Sequence, residues 1–143
     1  MAAGQRNRPA SEDVRSNARE RALHLLYEAE VKGVPTSEIL VAQVLEVDEA
    51  TILIVDGISN QAQQIDELIA EYATGWTLVR MASIDRNILR IGVFELLGRP
   101  DVPTAVAINE AVNLAKTFST DESGKFVNGV LAAIATVVRP DED

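Results

Sequence analysis

Arg15, Arg19 and Tyr27 follow one another at spacings of four and eight residues in a stretch free of proline and glycine. At about 100° per residue, with Arg15 at zero, Arg19 lies near 40° and Tyr27 near 120° on one helix flank. Two guanidiniums and an aromatic ring so placed suit a nucleotide strand: forked hydrogen bonds hold phosphate oxygens, and the ring stacks an unpaired base. Arg6 and Arg8 extend the line outward. The same spacing also suits a solvated flank in which Arg15 and Arg19 pair with Glu12 or Glu20 while Tyr27 packs on the core. Spacing alone leaves both readings open.

Lys125 and Phe126 form a second candidate, in the first turn of a helix expected to begin at Asp121 or Ser123. Free amides at a helix start can hold an anion, but Asp121, Glu122 and Ser123 stand there and satisfy or repel it themselves. Phe126 also borders the apolar arc of Val130, Ile134 and Val137, which suits plain core packing. Asp85 opens another helix, where the dipole favours an acid, and Arg86 and Arg90 share a face one turn apart. A surface pair beside a dipole-matched acid accounts for those three. Glu95, set among Ile84, Ile88 and Ile91, is expected to reach an arginine or a helix end.

Catalytic and metal chemistry find little support. His24 is the one histidine, flanked by Leu23 and Leu25, and no cysteine occurs. Asp66 with Glu67, and Asp121 with Glu122, are adjacent pairs whose side chains diverge by about 100° on a helix. Gly57, Gly75, Gly92, Gly98 and Gly129 are isolated, so no phosphate-cradling loop forms. Gly92 and Gly129 are expected to permit close helix packing. No enzyme activity, cofactor or metal is expected.

These groups must be positioned by helices. The 143 residues are enough for one domain with a sizeable core, 47% are hydrophobic and only 4% aromatic, so Leu, Ile, Val and Ala build the interior. The longest nearly apolar run, residues 129–138, is too short to span a bilayer. The N-terminus lacks an apolar signal segment, and a cytoplasmic location is expected. The net charge of −9 argues against indiscriminate nucleic-acid binding. Its distribution is uneven: residues 1–21 hold five arginines against three acids, and residues 28–76 hold ten acids against Lys32 alone.

Periodicity predicts an all-α bundle of six or seven helices. Residues 1–10 read as a disordered basic arm and residues 11–143 as one helical domain. A first helix runs from about Ser11 to Val31, a second from Ser37 to Glu46, and a third element starts at the N-cap Asp48. That third element continues through Ile69, with a kink or break near Gly57 to Gln64. Residues 73–77 read as a loop or short turn, and Ser83 to Leu97 as a helix. Residues 102–131 carry two further helices around a break at Ser119 to Gly124. On the first of these, Ala105, Ala107, Ile108, Ala111, Val112, Leu114, Ala115 and Phe118 fill a wide apolar arc opposite Asn109, Glu110 and Asn113.

That last stretch, VPTAVAINEAVNLAKTFSTDESGKFVNGVL, resembles the NusB family of bacterial transcription antitermination factors. The likeness continues upstream in IDRNILRIGVFELL (84–97) and ARERALHLLYEAE (18–30). The resemblance implies a NusB-like helical fold that binds boxA-like single-stranded RNA of nascent ribosomal RNA transcripts. It implies joint binding with NusE, a small-subunit ribosomal protein, and indirect contact with other Nus factors and RNA polymerase. It also implies RNA contacts from Arg6, Arg8, Arg15, Arg19 and Tyr27, and contact roles for Asp85, Glu122, Lys125 and Phe126. The arginine cluster is thinner than in the most basic members, with Ser16 and Asn17 interrupting it. Some members pair as homodimers. The fold also occurs as the N-terminal part of certain ribosomal RNA methyltransferases, and a helical scaffold that contacts only protein is a third possibility. On the favoured reading, Arg15, Arg19 and Tyr27 stand open to solvent, and replacing both arginines weakens RNA binding without loss of helix.

Overall fold

Asp48 begins its helix as expected: its carboxylate accepts a hydrogen bond from the Thr51 amide at 3.2 Å, meeting a donor that the helix itself leaves free. The computed structural model describes residues 10–43 and 45–141, with side chains from residue 13 onward. Arg6, Arg8 and all of the expected basic arm except Ala10 lie outside the described residues, as does Val44. Seven α-helices and no strand are formed among the described residues: α1 (Ala10–Lys32), α2 (Thr36–Val41), α3 (Glu49–Asn60), α4 (Ala62–Tyr72), α5 (Ser83–Gly98), α6 (Thr104–Phe118) and α7 (Asp121–Val138). A 3₁₀ turn, Leu78–Arg80, precedes α5.

The long third element is two helices. The chain breaks at Gln61, past Gly57, and the apolar faces of α3 (Ile54, Val55, Ile58) and α4 (Ile65, Ile69) both turn inward. The β-branched run Thr51 to Val55 is helical, because its neighbours keep the helical period and its core face fits no strand partner. The second helix is shorter than expected and stops at Val41.

Helix α5 is the centre of the bundle. It packs against α1, α3, α4, α6 and α7, and every residue from Asn87 to Leu96 except Arg90 is buried. A helix apolar on most sides can only lie inside a bundle. Gly92 lets α7 approach: a Cβ there would stand 2.6 Å from Leu131 Cδ1. Gly129, expected to serve the same purpose, faces open space. The close approach on α3 is instead at Gly57, where a Cβ would meet the Phe94 ring at 2.1 Å.

Arg139, which caps the end of α7, locks the corner between α5 and α6. Arg139 donates to the carbonyls of Glu95 (3.0 Å), Leu96 (3.0 Å), Arg99 (2.8 Å) and Val102 (2.6 Å). These bonds join the end of α5 and the loop before α6 to the end of α7.

Candidate nucleic-acid interface

The expected ridge on α1 is broken at its middle. Arg19 is only 3% exposed: its Nε donates to Glu95 Oε1 at 2.7 Å and its Nη1 to Glu110 Oε1 at 2.9 Å. Its Nη2 is buried without a partner, so no face of this guanidinium is open to a phosphate. The expectation that Arg19 lines a solvent ridge is corrected. The wheel placed it at the margin of the apolar stripe, and a buried acid of α5 and a half-buried acid of α6 draw it inward. The same contact answers where Glu95 points. Arg15 remains partly open, but its Nη2 donates to Asp101 at 2.6 Å, not to Glu20; the side chain of Glu12 lies outside the described residues. Tyr27 is 40% exposed and so is not packed in the core.

One turn before Tyr27, His24 sets its ring edge-on to Phe118 at 4.9 Å. The contact joins this flank of α1 to the turn between α6 and α7. In that turn Thr120 caps α7: its Oγ accepts from the Ser123 amide at 2.9 Å. Ser123 Oγ in turn donates to Asp85 Oδ2 at 2.9 Å, tying the start of α7 to the start of α5. Asp85 Oδ1 is buried and has no partner.

These contacts form one wall of a cleft of about 490 Å³, lined by Trp76, Arg80, Met81, Asp85, Glu122 and Phe126 among others. Trp76 and Phe126 meet edge to face in its lining, ring centroids 6.3 Å apart and planes at 62°. Trp76 is 52% exposed. Arg80 is also exposed and pairs with no acid among the described residues. Lys125 reaches Glu122 at 3.4 Å on the exposed rim. Asp85, Glu122, Lys125 and Phe126, four expected site residues from two distant segments, therefore come together.

Trp76 and Arg80 were missed, because residues 73–77 read as a loop or short turn and the 3₁₀ turn has no periodicity. A tryptophan in a polar loop, with no apolar stripe to join, was the available signal. Arg86 holds that loop in place. It donates from Nη1 to the carbonyls of Leu78 (2.6 Å) and Met81 (2.9 Å), and its other nitrogens bind the Glu30 carboxylate of α1. Arg90 grips Asp66 of α4 with two parallel bonds of 2.9 and 3.1 Å. Arg86 and Arg90 are thus half-buried ties between helices, where a bland surface pair was expected. Burial alone would push the Glu30 carboxyl up. Hydrogen bonds from Arg86 and Ser83, with the charges of Arg86 and Arg90, outweigh it and hold the pKa below the ordinary 4.5.

Among the described residues no group of three His, Cys, Asp or Glu side chains has metal-binding proximity. No described helix is long and apolar enough to cross a membrane.

The sequence profile of the NusB family matches residues 16–136. A protein of Saccharopolyspora erythraea named transcription antitermination protein NusB is 49% identical over 129 residues, 86% of this chain and 87% of that protein. The protein of the same name from Thermobifida fusca is 50% identical, covering 84% and 87%. These relatives are matched over nearly their whole length, which leaves no room in them for a methyltransferase domain. Their name is that of a transcription factor and not of an enzyme. Among solved structures, Thermotoga maritima NusB superposes with a TM-score of 0.77 at 34% identity, covering 86% of this chain and 91% of that one. A complex of antitermination factors NusB and NusE with double-stranded RNA superposes at 0.73 and 28% identity, covering 85% and 96%. The family match over residues 16–136 and these relatives show that the chain belongs to the NusB family.

Proposed function

We propose that this protein is a transcription antitermination factor that binds boxA-like single-stranded RNA of nascent ribosomal RNA transcripts, jointly with NusE. The observation that carries the reading is the cleft: two aromatic walls, a free guanidinium and a lysine on one rim of a protein that is otherwise acidic. Trp76 and Phe126 offer their faces to unpaired bases, a sequence-tolerant contact worth about 1–3 kcal/mol per base. Arg80 and Lys125 take phosphates, and Glu122 accepts from a base amino group. Asp85 has one oxygen spent on Ser123 and the other sealed. Its part is to fix the first turn of α7, so that Phe126 and Lys125 face the strand.

The strand extends from this cleft over the α6–α7 turn to Tyr27 and on toward Arg15, and Arg6 and Arg8 add charge for it. Arg15 to Tyr27 covers about 18 Å of helix, the reach of several nucleotides. Arg19 supports the path from inside and makes no contact. The solved relative in complex with NusE and RNA supports the two-protein arrangement, and the surplus of acid explains why the chain gains from a basic partner. Other Nus factors and RNA polymerase are reached through that assembly, in the cytoplasm where transcripts emerge, and free copies pair as homodimers.

The test is fluorescence anisotropy with a boxA-length single strand, alone and with NusE. Trp76→Ala and Phe126→Ala should each weaken binding about ten-fold with unchanged helical circular dichroism. Wild-type affinity in both variants overturns the reading, as does equal preference for a duplex of unrelated sequence.

A further inference from the structure

A second groove lies at the other end of α5, about 20 Å along the helix from Asp85. Its volume is about 490 Å³, and it runs between α3 and the last turn of α5. Two glycines make it. Gly57 brings bare backbone against the Phe94 ring, and Gly98, also bare, leaves the space beside that ring empty. Glu49, Leu53 and Asp56 share one face of α3 at i, i+4 and i+7 and form the groove's outer edge. Leu53 is 48% exposed, an apolar side chain held between two acids.

The charge around this groove is one-sided. No lysine or arginine occurs from residue 33 to residue 79, while Glu38, Glu46, Asp48, Glu49, Asp56, Asp66, Glu67 and Glu71 do. Glu49 and Asp56 are exposed and pair with no cation among the described residues. Arg99 at the far edge has its Nε 3.5 Å from Asp101, which offsets its charge. RNA is repelled from such a surface. An apolar floor between unpaired acids instead matches a basic segment carrying one large apolar side chain.

We propose that the α3–α5 groove is a protein-docking surface, separate from the RNA cleft, that takes a lysine- or arginine-rich segment of a partner through one apolar anchor beside Phe94. The anchor displaces water from Leu53 and packs beside the Phe94 ring, and its basic neighbours meet Glu49 and Asp56. RNA at one end of α5 and a basic protein segment at the other would make the domain a two-ended adaptor.

The test uses a synthetic peptide of two leucines flanked by lysine pairs, titrated into the isotope-labelled full chain and followed by amide chemical shifts. Controls replace the lysines by glutamates, or the leucines by serines. Shifts should move at Leu53, Gly57 and Gly98, and both controls should bind at least about ten-fold more weakly. Gly98→Leu fills the groove and Asp56→Lys reverses its edge. Each should weaken the peptide about ten-fold while helical circular dichroism and affinity for single-stranded RNA stay at the wild-type value. Shifts mapping elsewhere, a glutamate peptide that binds equally, or wild-type affinity in both variants overturns the proposal. So does a dimer in equilibrium sedimentation that Gly98→Leu splits, because the groove's occupant is then a second copy. A fall in RNA affinity in these variants refutes the separateness of the two surfaces, whereas failure of the Trp76 and Phe126 test leaves this groove untouched.

Discussion

Arg19 meets Glu95 in the interior, Nε to Oε1 at 2.7 Å, with the two side chains 3% and 2% exposed. A partner removed from such a pair leaves a charge buried and uncompensated, which costs about 3–5 kcal/mol. Arg19→Ala should therefore lower the urea unfolding free energy by about that amount, whereas Arg15→Ala, at the surface, should cost under about 1 kcal/mol. Arg19→Met with Glu95→Leu should recover part of the loss, because Glu95 is then not stranded and only the less buried Glu110 loses its arginine. Replacing both arginines should therefore cost stability as well as any RNA contact of Arg15. If Arg19→Ala unfolds like the wild type, the interior pair carries no such weight.

Two glycines on packed helices should respond in opposite directions. Gly92→Ala places a methyl 2.6 Å from Leu131 Cδ1 and should destabilise by about 1–3 kcal/mol through overpacking. Gly129→Ala meets nothing within 4 Å, lies inside α7, and should stabilise by about 0.5–1 kcal/mol through helix propensity. Thermal melts of the two variants decide it, and equal effects would contradict the packing described.

Acid should loosen the tie between α1 and the cleft loop. The Glu30 carboxyl titrates below its ordinary 4.5 in the folded chain, so the unfolded chain binds the proton more tightly. The stabilisation is full above the unfolded value and disappears as the pH falls through the folded one. Denaturant midpoints for wild type and Glu30→Gln should differ at neutral pH and converge in acid below 4.5. A difference that is constant with pH would show that the Arg86 and Arg90 contacts do not depend on the charge of Glu30.

Local chemistry made much of the fold legible. Asp48 announces a helix start by its side-chain acceptor, Gly98 with Pro100 announces a stop, and the 3.6-residue period across residues 102–131 needs no knowledge of neighbours. The pairing of the cleft was less accessible. Asp85, Glu122, Lys125 and Phe126 entered through family resemblance, and nothing in their spacing along the chain says that α5 and α7 start side by side. Trp76 and Arg80 sit in a loop and a 3₁₀ turn, where no repeating pattern marks which way a side chain faces.

The amino-acid order alone determined which segments are helical, which faces are apolar, and that the positive charge lies early and the negative charge in the middle. Those are properties of residues a few positions apart. Whether a polar group at the edge of an apolar stripe meets water or a buried counter-charge depends on the opposing helix. Only the packing of α1 on α5 and α6 decided that Arg19 turns inward to Glu95 and Glu110 while Tyr27 stays open. An ion pair forms where two helices converge, and one helix wheel cannot contain the other.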